Sequence, residues 1–281
     1  MHVVSVMNQK GGCGKTTTAI NLGACVADRG IKVLIIDMDP QAHATLGLSS
    51  VRNADGGGLI HRLLRSPADM EPFSREVRPN LHLVPAGDDL MPLEMELATA
   101  TDGESRLHEC LRLTGSRWDL VLIDCPPSFG ALTRAALRAC DTILIPVEVG
   151  FFSLNGVGSF LRTIQKYHPD WLSRKKIRAV VTLFDRQTSF AREVHEEIRS
   201  FFGEALYSSV IHRNVRLKES TSYGVPVIDY DRRARGTEDY SALAGEVVRE
   251  LLPREADRTL TERLQSSGGD GGAGGSDPRA A

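Results

Sequence analysis

The chain has 281 residues, which is enough for one large α/β domain or two small ones. Hydrophobic residues make up 41% of it, and its 34 basic and 36 acidic side chains nearly cancel, so the composition fits a soluble globular protein and excludes a disordered or fibrous one. No apolar run approaches the roughly 18 residues of a membrane span, and the N-terminal residues lack a signal-peptide pattern, so we expect a cytoplasmic protein. The five cysteines include no C-x-x-C pair, so we expect neither zinc nor disulfide bonds.

Short β-branched runs alternate with amphipathic segments along most of the chain. The runs are apolar on both faces, as buried strands of a parallel sheet are, and they cover residues 2–7, 32–37, 81–86, 119–124, 142–147 and 177–184. The segments between them predict helices at residues 16–28, 132–139, 154–167, 190–202 and 238–252. This alternation predicts an α/β fold with a doubly wound, mostly parallel sheet flanked by helices.

The composition changes near the C-terminus. From Ser266 onward the sequence reads SSGGDGGAGGSDPRAA, which has too little apolar surface to offset the entropy of ordering it. We therefore predict a single folded domain over residues 1–253 and a disordered, glycine-rich tail over residues 254–281. Because the first predicted strand begins almost at Met1, we expect no separate DNA-reading domain before it.

A glycine-rich stretch, QKGGCGKTTT at residues 9–18, lies between the first predicted strand and the first predicted helix. Its glycines let backbone N–H groups turn towards an anion, and the positive N-terminal end of the following helix points at the same place. Lys15 is then placed for β- and γ-phosphates and the Thr16 hydroxyl for Mg²⁺, as in the phosphate-binding loop of NTPases.

The loop departs from the ordinary G-x-x-x-x-G-K-[ST] pattern, because Gln9 replaces its first glycine and Lys10 follows. The form x-K-G-G-x-x-K-[ST] resembles the deviant Walker A box of the ParA/MinD superfamily of P-loop ATPases. The resemblance implies that Lys10 is the signature lysine, which reaches the nucleotide of the other subunit in a dimer and acts in catalysis with Lys15. It also implies that ATP binds the loop, through Gly11, Gly12, Cys13, Gly14, Lys15, Thr16 and Thr17.

Two predicted strands end in carboxylates, at residues 33–41 (VLIIDMDPQ) and 119–128 (DLVLIDCPPS), and these ends meet at one edge of a parallel sheet. They resemble the family's A′ and Walker B boxes. The resemblance implies that Asp39 orients the attacking water, that Asp37 helps to hold the hydration shell of the metal, and that Asp124 binds Mg²⁺ together with Thr16. The alternative for the first pair is two solvated strand-end carboxylates.

Cys13 occupies the variable position of the loop, close to where Lys15 and the phosphates would meet. A cation and a phosphate-binding loop can lower the pKa of a thiol, so one hypothesis is a redox switch. The other is that Cys13 is a small filler residue.

The stretch HRNVRLKESTSYGVPVIDYDRRARG at residues 212–236 resembles a ParA-specific pattern, R-N-V-R-L-S-E-A-P-S-x-G-x-P followed by Y-D-x-x-S-x-G. It departs from that pattern at His212, where proline is usual, at Lys218, where serine is usual, and at Ser220-Thr221, where Ala-Pro is usual. The resemblance implies that basic residues here grip DNA phosphates without reading sequence. The candidates are Arg216 first, then Arg213, Lys218, Arg232, Arg233 and Arg235.

The same loop resembles one that borders the adenine in relatives, which makes Asn214 a candidate nucleotide contact. The sequence alone does not divide this loop between nucleotide and DNA.

These resemblances imply a Mg²⁺-dependent partition ATPase that dimerises with ATP, binds double-stranded DNA non-specifically, associates with the nucleoid in that state, and is stimulated by a ParB-like partner. Two alternatives come from the same superfamily. A MinD-like, membrane-associated ATPase is disfavoured because the last helical stretch, residues 259–267, has only Leu260 and Leu264 as apolar anchors. An iron–sulfur reductase is disfavoured because Cys125 and Cys140 match no cluster motif. We therefore expect no membrane partner, and the cargo stays open.

Overall fold

The computed structural model describes residues 1–49 and 58–252. In that part the eight strands form one sheet, in the order β3-β4-β2-β5-β1-β6-β7-β8. The strands are β1 His2–Val6, β2 Val33–Asp37, β3 Arg75–Arg78, β4 Leu81–Val84, β5 Leu120–Asp124, β6 Thr142–Glu148, β7 Lys176–Phe184 and β8 Leu206–His212. Every neighbouring pair is parallel except β3 and β4. The predicted doubly wound, mostly parallel α/β fold is confirmed.

The helices connect these strands by crossovers. They are α1 Lys15–Ala27, α2 His43–Gly47, α3 Ile60–Arg65, α4 Leu90–Thr99, α5 Arg106–Thr114, α6 Ala131–Ala139, α7 Ser153–Tyr167, α8 Trp171–Arg174, α9 Ser189–Phe202, α10 Val215–Ser222, α11 Val227–Tyr230 and α12 Arg235–Leu251. No helix among the described residues is long and apolar enough to span a bilayer. The predicted tail and the apolar anchors Leu260 and Leu264 lie outside the described residues.

Two apolar clusters form the core, and alternate residues of a strand contribute to opposite clusters. Along β2, Leu34 and Ile36 belong to one cluster and Val33 and Ile35 to the other. Because successive side chains of a strand point to opposite faces, both faces of this strand are covered. This explains why the central strands are continuous apolar runs in the sequence.

The order of the strands brings the carboxyl ends of β1, β2 and β5 together. Asp124, the last residue of β5, is in register with Val6 of β1 on one side and with Asp37 of β2 on the other. The loop after β1 and the acidic ends of β2 and β5 therefore share one edge of the sheet. Ligands of open α/β sheets bind at this edge.

Helix α1 is fixed against the last third of the chain. The hydroxyls of Thr18 and Tyr240 are hydrogen-bonded at 3.1 Å, and Asn21 Oδ1 accepts a bond from the backbone N–H of Val227 at 2.8 Å. Since α1 carries the end of the glycine-rich loop, these buried contacts set the position of the loop relative to α11 and α12.

Candidate functional site

The glycine-rich loop connects β1 to α1 and is shaped by two left-handed glycines. Gly12 has a φ of 76° and Gly14 a φ of 89°, a conformation that residues with a Cβ rarely adopt. Gly14 is also the N-cap of α1, and its carbonyl accepts the first helical bond from the Thr18 N–H at 2.8 Å. From β7, the Thr182 hydroxyl donates to the Cys13 carbonyl at 2.8 Å and holds the loop against the sheet.

The two lysines of the loop have different surroundings. Lys15, the first residue of α1, is only 7% exposed, and its ammonium group donates to the Lys10 carbonyl at 3.2 Å. The Lys10 side chain forms an ion pair with Glu148, the last residue of β6. Asn8 fixes the start of the loop against β6, because its Oδ1 accepts from the Lys10 N–H at 3.0 Å and its Nδ2 donates to the Pro146 carbonyl at 2.8 Å.

Asp124 has the properties of a cation ligand. Both carboxylate oxygens are buried, and neither has a hydrogen-bond partner among the described residues. Burial and then the neighbouring Asp37 raise the pKa of Asp124 well above its usual range, which Lys15 and Thr16 only partly oppose. A bound divalent cation would neutralise this carboxylate. The donor set of Asp124 and the Thr16 hydroxyl therefore fits Mg²⁺, which usually keeps several of its waters.

Asp37, in contrast, is committed to neighbouring protein groups. Its carboxylate accepts from the Thr45 backbone N–H at 2.8 Å, from the Thr45 hydroxyl at 2.7 Å and from the Asp39 N–H at 3.1 Å. Burial nevertheless raises the pKa of Asp37 to about 6. Asp37 thus orients the segment after β2, which carries Asp39, and Asp39 in turn accepts from the Gln41 N–H at 2.9 Å.

The thiol of Cys13 is not activated. Its side chain is fully buried, and this burial raises its pKa although Lys15 acts in the opposite direction. The hypothesis that the loop lowers this pKa is therefore wrong, because loss of hydration outweighs the attraction of the nearby cation. This favours the alternative, in which Cys13 is a small filler residue. The contact with Thr182 is made by the Cys13 carbonyl and not by its thiol.

A cavity of about 540 Å³ lies between the loop, the end of β7 and α10. Its lining is Gly12, Gly14, Thr17, Thr182, Leu183, Ile211, Arg213, Asn214, Leu217, Lys218, Thr221, Ser222 and Tyr240. It thus brings the predicted nucleotide contact Asn214 to the glycine-rich loop. Asn214 Oδ1 is used as the N-cap of α10, accepting from the Arg216 N–H at 2.8 Å, which leaves the amide Nδ2 to donate to a ligand.

Leu183 also lines the cavity, and it could not be predicted from the sequence. It has a φ of 54°, and the pairing of β7 with β8 loses its regular register between Val181 and Phe184. A left-handed leucine is strained, and such strain concentrates at ligand sites. No residue type in this stretch predicts the left-handed conformation, since the run at 177–184 has the pattern of an ordinary apolar strand.

The predicted DNA contacts are distributed over separate places. Arg213 and Lys218 line the cavity, whereas Arg216 is paired with Glu219 at 2.7 Å. Two further arginines are also paired, Arg232 with Asp28 at 2.8 Å and Arg235 with Asp239 at 2.9 Å. Arg233 is exposed. Acidic partners therefore neutralise part of the positive charge that the arginines and lysines of residues 212–236 carry.

The chain was compared with known proteins. A family model described as an AAA domain matches residues 1–178. The chain is 40% identical over 248 residues to the sporulation initiation inhibitor protein Soj of Bacillus subtilis, covering 88% of this chain and 98% of Soj. It is 38% identical over 262 residues to the chromosome partitioning protein ParA of Caulobacter vibrioides, covering 92% and 96% of the two chains.

Solved structures show the same architecture. Cobyrinic acid a,c-diamide synthase from Mycobacterium smegmatis, with a bound ATP analogue and magnesium, matches with a TM-score of 0.75 at 28% identity, over 89% of this chain and 95% of that one. The cell division ATPase MinD of Pyrococcus furiosus matches with a TM-score of 0.72 at 22% identity, over 88% and 98%, which supports the fold alone. The sequence relatives and the matched domain agree with the glycine-rich loop and the acidic strand ends, and the chain belongs to the ParA family of partition ATPases.

Proposed function

We propose that this chain hydrolyses ATP with Mg²⁺, dimerises around ATP, and in that state binds double-stranded DNA non-specifically to segregate or position a cargo. The observation that carries the proposal is the unpartnered, buried Asp124 carboxylate beside a glycine-rich loop whose helix begins at Lys15. A phosphate-binding loop next to a carboxylate that needs a cation suits a nucleotide with its metal.

The residues divide the work of phosphoryl transfer to water. Loop N–H groups and Lys15 would hold the phosphates, and Thr16 and Asp124 would hold Mg²⁺, which would supply positive charge next to the phosphate oxygens. Asp39, placed by the bonds around Asp37, orients the attacking water. Asn214, which lines the cavity, donates to the base through its amide Nδ2.

Dimerisation gives Lys10 its function. A cation that reaches the phosphates of the other subunit acts like an arginine finger, a device that raises the rate of other NTPases by about 10³–10⁵. Within the single chain Lys10 pairs with Glu148 and is partly exposed, which supports this role because its side chain is accessible to a second subunit.

Binding to DNA rests on the basic residues outside the cavity, Arg216, Arg232, Arg233 and Arg235. Phosphate contacts of this kind carry no sequence information and weaken steeply with salt. A ParB-like protein stimulates hydrolysis and thereby releases the chain, which places the ATP-bound form on the nucleoid and the ADP form in the cytoplasm.

The test is retention on non-specific duplex DNA with ATP or ADP across a salt series. We expect retention with ATP only, falling as salt rises. Asp39→Ala should remain on DNA with ATP because hydrolysis stops after binding, whereas rapid turnover by this variant would contradict the role of Asp39. No retention with either nucleotide would exclude DNA as the track.

A further inference from the structure

Helix α10, Val215–Ser222, presents two chemically different faces. Each residue of an α-helix advances about 100° around the axis, so residues at i, i+3 and i+4 share a face and residues at i and i+2 lie on nearly opposite sides. Lys218, Thr221 and Ser222 form one such face, and all three line the cavity at the glycine-rich loop. Arg216, two residues before Lys218, lies about 160° away.

The opposite face has its own partners. Arg216 pairs with Glu219 at 2.7 Å and with Asp231 at 3.5 Å, and neither acid lines the cavity. Lys218 forms no ion pair with any described residue, and no carboxylate of the described chain lines the cavity. The charge of Lys218 is therefore left for a ligand of the cavity, while the charge of Arg216 is shared with surface acids.

The cavity lies on the nucleoside side of the loop. Its loop residues are Gly12, Gly14 and Thr17, whereas the groups of the hydrolytic end, Lys10, Lys15 and Asp124, do not line it. A nucleotide whose β- and γ-phosphates lie at Lys15 would place its α-phosphate, ribose and base along this cavity. A cation on the cavity wall then faces the anionic and hydroxyl oxygens at that end of the ligand.

We propose that Lys218 is a nucleotide-binding residue, whose ammonium group contacts the ribose and α-phosphate oxygens of a nucleoside di- or triphosphate rather than DNA. The proposal rests on the proposed function, because it needs a nucleotide in the cavity. It reassigns one of the basic residues that the sequence grouped with the DNA contacts. Arg213 lines the same cavity but matches the ParA pattern, whereas Lys218 stands where that pattern has serine, so the contact of Lys218 is an addition to that pattern.

The experiment measures the binding of a fluorescent ADP to the full chain without DNA. The variants are Lys218→Ser, which restores the residue of the family pattern, Lys218→Arg, which keeps the charge, and Arg233→Ser, which removes a positive charge from outside the cavity. We expect Lys218→Ser to weaken ADP binding about three- to tenfold, as loss of a partly exposed charged contact does. Lys218→Arg should stay within about twofold of the unchanged chain, and so should Arg233→Ser.

DNA retention at saturating ATP provides the second readout. Lys218→Ser should be retained like the unchanged chain, because saturation compensates for weaker nucleotide binding, while Arg233→Ser should lose part of its retention. ADP affinity that is unaltered in Lys218→Ser would overturn the assignment. An unchanged chain that binds no ADP would instead overturn the proposed function and this inference with it, and the two failures are distinguished by that measurement.

Discussion

Lys10 and Glu148 form an ion pair within one chain, between the glycine-rich loop and the end of β6. The side chain of Lys10 is 34% exposed and that of Glu148 is 21% exposed, so the pair lies at the rim of the site. A lysine that acts on the nucleotide of another subunit must give up this partner or share it. In the proposed dimer, the ion pair would therefore oppose dimerisation by the free energy of any part of this contact that is lost.

Glu148→Gln should lower the ATP concentration at which dimers form. A partly exposed ion pair contributes about 0.2–1 kcal/mol, so we expect a shift of about 1.5- to fivefold. Size-exclusion chromatography with light-scattering detection, at a series of ATP concentrations, measures the fraction of dimer and thus this shift. Glu196→Gln, which removes an exposed carboxylate on α9, is the matched control. A Glu148→Gln protein that needs more ATP than the unchanged chain would show that Glu148 orients Lys10 for the dimer instead.

A substitution of Asp37 tests whether this residue helps to bind the metal or positions the segment after β2. Asp37→Ala leaves the N–H groups of Thr45 and Asp39 without their acceptor, which should reduce the free energy of unfolding by about 1–3 kcal/mol. Urea denaturation without nucleotide or metal measures this loss. Because Asp124 keeps its unpartnered oxygens in this variant, Mg²⁺-dependent nucleotide binding should fall less than in Asp124→Ala. Unaltered stability with lost Mg²⁺ dependence would instead favour the metal role that the sequence resemblance implies.

A substitution of Arg216 tests whether the exposed face of α10 contacts DNA. Arg216→Glu should abolish retention on duplex DNA with ATP while leaving ADP affinity unchanged, because its side chain lies on the face of α10 opposite Lys218. Arg112→Glu, an equally drastic change at an exposed position of α5, is the control and should be retained. If Arg216→Glu were retained as well, the DNA surface would lie elsewhere.

The sequence predicted the fold well wherever burial produced a continuous apolar run. The six predicted strands correspond to β1, β2, β4, β5, β6 and β7, whereas β3 and β8 were missed. Both missed strands lie at the edges of the sheet. Their residues, REVR and LYSSVIH, include polar side chains because most positions of these two strands are not buried.

The site could be predicted only as far as local motifs reach. The glycine-rich loop and each acidic strand end are short contiguous motifs, and each follows a predicted parallel strand, so their meeting at the carboxyl edge of the sheet could be predicted. Glu148 and Thr182 carry no motif, and they meet the loop only because β6 and β7 follow β1 in the sheet. Residue spacing separates the two faces of α10, but which face lines the cavity depends on the orientation of the helix, which neither spacing nor charge count supplies.

Glu250, near the C-terminal end of α12, makes the free energy of unfolding depend on pH. Burial alone would raise its pKa, but hydrogen bonds from Arg178, Lys176 and Tyr207 lower it to about 2. The Tyr207 hydroxyl donates at 2.8 Å, and the Lys176 ammonium lies at 2.7 Å. The folded chain therefore binds the Glu250 proton more weakly than the unfolded chain, so this carboxylate stabilises the fold at neutral pH.

The stabilisation is present above the ordinary glutamate pKa of about 4.3 and is lost as the pH falls from there to about 2. Glu250→Gln should reduce the free energy of unfolding at pH 7 by roughly 1–3 kcal/mol, and its difference from the unchanged chain should shrink steadily below pH 4. Denaturant unfolding at a series of pH values measures both curves. Glu238→Gln, on the same helix but in an exposed pair with Arg235, should differ little from the unchanged chain at any pH. A Glu250→Gln difference that stayed constant down to pH 2 would mean that lost packing, rather than the carboxylate charge, accounts for it.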